Sequence, residues 1–270
     1  MSMVWKNDIA VLTGATGGIG QTIARVLAQK GVTLLLNGRN AEKLEALRQA
    51  LPGEHITVAA DINTETGRNA LVETCAEMPY ISLLINNAGT SITGAFTQLS
   101  EDQQSALVQT NLLAPMALTQ RLMPMLSQAR QAHVVNVGST FGSIGFPYHA
   151  AYCASKFGLR GWTEALQREH HGQSVSFHYL APRATHTEIN SSEVVAMNKA
   201  LGNKMDPPEL VATELVQQLE KKQPRCFIGF PEKLFARING IFPGLVDSAL
   251  RKQLPTVKHH IASSHQETQI

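Results

Sequence analysis

Ala10-Val11-Leu12-Thr13-Gly14-Ala15-Thr16-Gly17-Gly18-Ile19-Gly20 is the stretch on which the fold turns: an apolar run passes through a turn with four glycines into a helical pattern. Glycine has no Cβ, so such a turn can take positive φ and let a pyrophosphate approach the backbone. The opening turn of the helix then offers free N–H groups and the positive end of its dipole. A glycine-rich turn alone is often merely structural. Here strand, turn and helix come in the order a dinucleotide site requires, which favours Gly14, Thr16, Gly18, Ile19 and Gly20 as nucleotide contacts.

Outward from this turn, short apolar runs alternate with helical patterns, the signature of repeated βαβ units. Candidate strands are Ile9 to Thr13, Thr33 to Asn37, His55 to Ala60, Ile81 to Asn86, His133 to Gly138, Ser174 to Leu180 and a short one near Cys226 to Ile228. Their continuous apolar character fits strands covered on both faces. Helices such as Gly20 to Lys30 and Ala41 to Leu51 lie between them, the second stopped by Pro52-Gly53. No repeat or low-complexity linker divides the chain, so the expected fold is α/β, a doubly wound, mostly parallel sheet in one domain. From Pro231 onward Leu234, Ile238, Phe242, Leu245 and Leu250 recur near helical spacing, interrupted by Lys233, Arg237, Arg251 and Lys252. That segment is basic and amphipathic, and Pro243-Gly244 is expected to split it into two helices. His259 to Ile270 is polar and expected to fray.

The chain has 270 residues, 43% of them apolar and 16% charged, enough to fill a two-faced core and unlike a disordered composition. A net charge of +2 without a run of Lys and Arg argues against a nucleic-acid partner. Cys75, Cys153 and Cys226 are widely spaced and read as reduced core residues of a cytoplasmic protein. The first apolar strand begins by Ile9, which leaves no room for a signal sequence, and no stretch reaches the roughly 20 apolar residues of a membrane span.

The second candidate strand ends Leu35-Leu36-Asn37-Gly38-Arg39-Asn40, where this kind of fold places the adenosine ribose. An acidic residue there would bind the ribose hydroxyls and repel a 2′-phosphate. Asn37 is taken to occupy that position, followed by Arg39, whose guanidinium can pair with the phosphate, so NADP(H) is expected over NAD(H). The alternative is that Arg39 is a solvated loop residue. Asp61-Ile62 ends the third strand; Asp61 either accepts from the adenine amino group or caps the helix beginning near Thr64. In Asn86-Asn87-Ala88-Gly89, side-chain amides can tie neighbouring loops together and Gly89 permits close approach, unless the segment is simply a turn.

Tyr152 and Lys156 stand four apart at the start of a helical segment, so they share a face. A free tyrosine titrates near ~10. A neighbouring ammonium, helped by a positive nicotinamide ring, is expected to lower that value toward the working range. Such pairs also occur by chance on exposed helices. The pair gains force from Val134-Val135-Asn136-Val137-Gly138-Ser139, a strand whose carboxyl end delivers Ser139, and ligands of open α/β sheets bind at that end. Ser139 either hydrogen-bonds a substrate carbonyl or caps a turn. Asn111 interrupts an otherwise helical run and could hold a water against Lys156.

These residues, Thr13-Gly14…Gly18-Ile19-Gly20, Asp61, Asn86-Asn87-Ala88-Gly89, Asn111, Ser139, Tyr152 and Lys156, stand in an order that resembles a classical short-chain dehydrogenase/reductase across residues 8–230. The resemblance implies a Rossmann-type, seven-stranded sheet over residues 1–230, a mobile substrate lid at 188–205, and 231–270 as a helical extension of the same domain. It implies hydride transfer between nicotinamide and a carbonyl carbon by an Asn111-Ser139-Tyr152-Lys156 tetrad. Ser139 would stabilise the oxygen, Tyr152 donate the proton, Lys156 lower the tyrosine pKa and bind the nicotinamide ribose, and Asn111 organise a relay water. Pro182 and Thr187 fit the segment beside the nicotinamide carboxamide, but Arg183 replaces the customary glycine. A homodimer or homotetramer is the assembly expected of such a protein. The tail resembles a subgroup acting on lipophilic ketones, which implies a ketoacyl, steroid-like or xenobiotic carbonyl as substrate.

The rival from another class is a non-catalytic NADP(H)-sensing protein on the same fold, against which the complete tetrad argues. A metal enzyme is a weaker alternative, because the adjacent pairs His170-His171 and His259-His260 lack the spacing of ligands on one helix face. For the amphipathic tail, packing over the pocket is favoured over an interaction face or contact with a membrane surface.

Overall fold

A computed structural model describes residues 5–264. Seven strands form one sheet: β1 (Ile9–Leu12), β2 (Thr33–Gly38), β3 (Ile56–Ala59), β4 (Leu83–Asn86), β5 (Ala132–Val137), β6 (Val175–Ala181) and β7 (Arg225–Phe227). The spatial order is β3-β2-β1-β4-β5-β6-β7 and every neighbouring pair is parallel. The chain winds outward from β1 to β3 and then returns to place β4 on the other side of β1. This reversal opens a crevice at the carboxyl ends of β1 and β4.

Among the described residues ten α-helices cover the sheet and its carboxyl end: α1 (Gly18–Gln29), α2 (Ala41–Gln49), α3 (Glu65–Ala76), α4 (Glu101–Val108), α5 (Ala114–Gln128), α6 (Ala150–Glu169), α7 (Ser192–Ala200), α8 (Pro208–Glu220), α9 (Glu232–Ile241) and α10 (Pro243–Ser264). The strands read as unbroken apolar runs because both faces are buried. Ala10, Leu12, Leu34 and Leu36 meet Ile23 and Leu27 of α1 and Leu215 of α8. Their neighbours Val11, Leu35 and Leu84 meet Leu71 of α3 and Leu118 and Leu122 of α5 on the other face. Each such side chain contributes about 1.5–3 kcal/mol of burial, so the two faces together hold the sheet rigid under the site.

One expectation for the carboxyl-terminal third needs correction. Residues 259–264 do not fray: α10 runs through them, and Val257 and Ile261 pack with Phe146, Cys153, Val194 and Met197. Residues 265–270 lie outside the described residues. The segment expected as a mobile lid contains α7, whose Val194 and Met197 are in that same cluster, so its underside is anchored. The chain breaks at Phe242, with Pro243 opening α10, as its sequence leads one to expect. Packing of the tail is divided, however: α10 buries Val246, Val257 and Ile261, whereas no residue of α9 is buried. Among the described residues no helix is long and apolar enough to cross a membrane.

Candidate active site

At the nucleotide end, Gly14 takes φ +64°, and a Cβ there would lie 2.7 Å from Ala88 Cα, so the turn after β1 and the segment after β4 touch backbone to backbone. Thr13 and Asn87 lock them together. The Thr13 hydroxyl accepts from the N–H groups of Asn87 (3.0 Å) and Ala88 (3.1 Å), and Asn87 Nδ2 donates to the carbonyls of Thr13 (3.1 Å) and Gly14 (3.0 Å). Gly17 precedes α1 without a capping side chain, which leaves first-turn N–H groups available to an anion. Thr187 reaches this turn from beyond β6, since a Cβ on Gly18 would stand 2.8 Å from its Cγ2. Ile19, Asn87, Gly89, Pro182 and Thr187 line one continuous cavity with Ser139, Tyr152 and Lys156. The donor set and the open first turn of α1 suit a dinucleotide pyrophosphate.

Asn37 is not the ribose-facing position. Its side chain is buried and donates to the carbonyls of Val58 and Ala60, both at 3.1 Å, clamping β2 to β3. Successive strand residues point to opposite faces, so it is Gly38 that faces the glycine-rich turn, its missing Cβ 3.3 Å from Thr16 Oγ1. A glycine there presents neither a carboxylate nor bulk. Arg39 follows, exposed and in no salt bridge among the described residues. Asp61 does not cap α3, because Thr64 does so by accepting from Gly67 N–H. One Asp61 oxygen accepts from Asn63 N–H at 3.0 Å, and Ile62 beside it is buried.

Asn111 sits on a π-helical turn, Gln109–Leu113, between α4 and α5. The wider turn carries the amide inward, where its oxygen accepts from Thr90 N–H (2.9 Å) and its nitrogen donates to Thr90 O (2.9 Å) and Ser155 Oγ (3.1 Å). A Cβ on Gly89 would lie 3.2 Å from Asn111 Oδ1 and 3.7 Å from Lys156 Nζ, so both groups converge on one point. Lys156 donates to Val137 O at 3.0 Å and lies 5.8 Å from the centre of the Tyr152 ring. Burial lowers its pKa to about 8. The same burial pushes Tyr152 up to about 12, opposed in part by hydrogen bonding from Ser139. The lowered tyrosine value expected from sequence is therefore absent in the protein by itself, because desolvation of the phenolate outweighs the polar groups around it.

Of the two roles its sequence left open, Ser139 shows the turn cap. Its oxygen accepts from Phe141 N–H at 3.1 Å, capping the short 3-10 turn Thr140–Gly142, and its O–H remains free to point at Tyr152. Beneath it lies Tyr179 of β6, which sequence reasoning missed. The Tyr179 hydroxyl donates to Ser139 O (3.0 Å) and accepts from Ser139 N–H (3.2 Å). Gly138 and Gly142 make room for that ring: a Cβ on either would come within 2.2 Å of it. The one available signal was the pairing of two glycines around Ser139 with an aromatic in the next strand.

Arg183 adds no free charge to the cavity. It forms a two-pronged pair with Asp206 (2.8 and 2.7 Å) and reaches Glu232 of α9 at 2.9 Å. It thereby ties the end of β6 to the far end of the lid and to the start of α9. The cavity, of about 270 Å³, has Phe141, Ile144, Phe146, Met197, Val246 and Leu250 in its wall, interspersed with polar side chains such as Asn190, Asn198 and Gln253. Among the described residues no three His, Cys, Asp or Glu side chains gather to hold a metal.

A parallel sheet with this crevice and this cluster of Asn, Ser, Tyr and Lys defines a dinucleotide-dependent oxidoreductase. The short chain dehydrogenase family pattern matches residues 8–198. The chain belongs to that family, and is an enzyme acting on CH–OH groups with a nicotinamide cofactor. It is 33% identical over 260 residues to dehydrogenase/reductase SDR family member 7B of Bos taurus, covering 89% of this chain and 79% of that one. To the ketoacyl reductase HetN of Nostoc sp. it is 30% identical over 252 residues, 89% of this chain and 87% of the relative. A short chain dehydrogenase/reductase from Burkholderia phymatum, crystallised in complex with NAD, superposes with a TM-score of 0.79 at 23% identity, over 90% of this chain and 96% of its own.

Proposed function

We propose that the protein is an NADP(H)-dependent reductase, cytoplasmic and assembled as a homodimer or homotetramer, that interconverts a carbonyl and a secondary alcohol on a lipophilic substrate. The observation that carries this reading is the cavity, whose lining joins Ser139, Tyr152 and Lys156 to a group of apolar side chains, Phe141, Ile144, Phe146, Met197, Val246 and Leu250. Ketoacyl, steroid-like and xenobiotic carbonyls all fit that character. The name of the Nostoc relative, a ketoacyl reductase, points the same way. The preference for NADP(H) rests on Arg39 beside Gly38, an exposed cation at the end of β2 that forms no salt bridge among the described residues.

Gly14, Thr16, Gly18, Ile19 and Gly20 would hold the pyrophosphate, Asp61 and Ile62 the adenine, and Asn87, Ala88 and Gly89 the ribose beyond them. Tyr152 and Lys156 would hold the nicotinamide ribose, and Pro182 and Thr187 the carboxamide. A nicotinamide held there would supply the hydride for the carbonyl carbon, or accept it from the carbinol in reverse. Ser139 O–H hydrogen-bonds the substrate oxygen as it becomes negative. Tyr152, which keeps its proton at neutral pH, gives it to that oxygen. Lys156, largely charged below about pH 8, steadies the tyrosinate left behind. Asn111, fixed by Thr90 and Ser155, keeps an oxygen near Lys156 for a proton-relay water.

The test is oxidation of NADPH and NADH in parallel across aldehydes and ketones, with Tyr152→Phe as control. Turnover with NADPH that the control loses is the expected result. Tight NADPH binding with no oxidation across the panel would instead establish the sensor.

A further inference from the structure

The outward-facing side of α9 and the start of α10 is apolar. Phe230 is 75% exposed, Ile241 70%, Leu245 64% and Phe242 62%, with Leu234 and Leu254 also exposed nearby. Scattered exposed apolar residues need no explanation, but a run of them along one helix and its turn does. α9 is also seated in an unusual way. What fixes it to the body is polar: Glu232 pairs with Arg183, and Asn239 Nδ2 donates to Ser143 O at 2.9 Å. An ordinary surface helix buries its apolar stripe and shows its polar face. Here Leu234 and Ile241 face out, while these polar contacts hold the inner side together with Phe235 and the half-buried Ile238, and α9 fully buries none of its residues.

The charges around this face are of one sign. Lys233, Arg237, Arg251 and Lys252 border it, and none of them forms a salt bridge among the described residues. Of the acidic residues in the same stretch, Glu232 is committed to Arg183, which leaves Asp247. The other side of the same two helices lines the cavity through Phe235, Val246, Ala249, Leu250 and Gln253.

We propose that α9 and the amino-terminal turns of α10 dock on the surface of an anionic phospholipid bilayer, with Phe230, Ile241, Phe242 and Leu245 entering the interface and the four basic residues meeting the headgroups. An apolar helix face bordered by cations is the pattern by which helices lie in a membrane interface. A second copy of the chain is a poorer occupant, because two-fold pairing through this face would bring the same four unpaired cations from each copy together. Docking sets the cavity mouth beside the acyl region, so a lipophilic substrate dissolved in the bilayer reaches the site without crossing water.

Flotation of the purified full chain with vesicles of phosphatidylcholine, and with vesicles of phosphatidylcholine mixed with phosphatidylglycerol, tests this without reference to activity. The protein is expected to float with the mixed vesicles and to stay below with the neutral ones. The double variant Ile241→Ser, Phe242→Ser removes exposed side chains only, and its fold is checked by cofactor binding; it is expected to lose flotation. Lys233→Gln and Arg237→Gln should each lower partitioning about fivefold, the factor for one cation near an anionic surface. Wild type that stays in solution with both vesicles overturns the proposal. So does a wild-type dimer that the double variant splits into monomers, since a second copy then covers the face.

Discussion

Replacing Tyr179 with Phe removes a single oxygen from a fully buried side chain outside the cavity lining, which makes it a sharp test of how Ser139 is held. In the native protein that oxygen serves both the Ser139 carbonyl and its N–H. The carbonyl has a second donor, Gly142 N–H at 2.9 Å, so it keeps a partner when the hydroxyl goes. The Ser139 N–H is left with none. An orphaned buried donor costs about 1–3 kcal/mol, and because Ser139 is only half-buried the lower half of that range applies. Urea unfolding should therefore show Tyr179→Phe about 1–2 kcal/mol less stable at unchanged slope. Ser139 then drifts relative to Tyr152, and kcat for carbonyl reduction should fall about tenfold, short of the hundredfold or more expected for Ser139→Ala. NADPH affinity should not change. A variant with native kcat and a native urea midpoint would refute the view that Tyr179 positions Ser139.

Tyr152→Phe should lower kcat by about a thousandfold while dinucleotide binding, read by fluorescence titration, stays near native. Arg39→Ala should cut the NADPH-over-NADH affinity ratio about tenfold to a hundredfold, the worth of a charge-assisted bond, and an unchanged ratio would remove the case for NADP(H). Lys156, with its pKa lowered to about 8, is charged below that value and loses its proton above it, so reduction rates should hold steady on the acid side and decline on the alkaline side. A pH profile of kcat with no decline there would show that the ammonium is not required. Asp206→Asn leaves the Arg183 guanidinium, only 7% exposed, with Glu232 alone, and urea unfolding should register a loss of about 3 kcal/mol.

Much of this was legible because it is local. A strand, a glycine turn and a helix lie within a dozen residues, and Tyr152 and Lys156 are one turn apart, so spacing alone sets their geometry. The strand runs were legible for a related reason, since burial on both faces removes the polar interruptions that would hide them. What failed depends on parity or on distance. Whether Asn37 or Gly38 faces the nucleotide turn is a matter of pleat phase, and a shift of one residue moves the side chain to the other face. Tyr179 acts on Ser139 through the pairing of β5 with β6, where Asn136 stands opposite Tyr179, a register that neither strand reveals alone. Arg183 finds its partners at positions 206 and 232, and its effect on the cavity could not be read from its neighbours.

The pKa values of the tetrad show the same division between local pattern and environment. Spacing places an ammonium beside a phenol, and from that alone a lowered tyrosine pKa follows. Enclosure in the cavity wall reverses the outcome by penalising the charged form of both groups, taking Tyr152 to about 12 and Lys156 to about 8. The protein by itself thus holds a proton on Tyr152 at neutral pH. Running the reaction toward oxidation requires that proton to leave, a departure that the Ser139 hydrogen bond favours and burial opposes. Further positive charge beside the phenol is needed, which is what an oxidised nicotinamide ring provides. Alcohol oxidation should therefore gain rate as pH rises from neutral, where that proton leaves more readily.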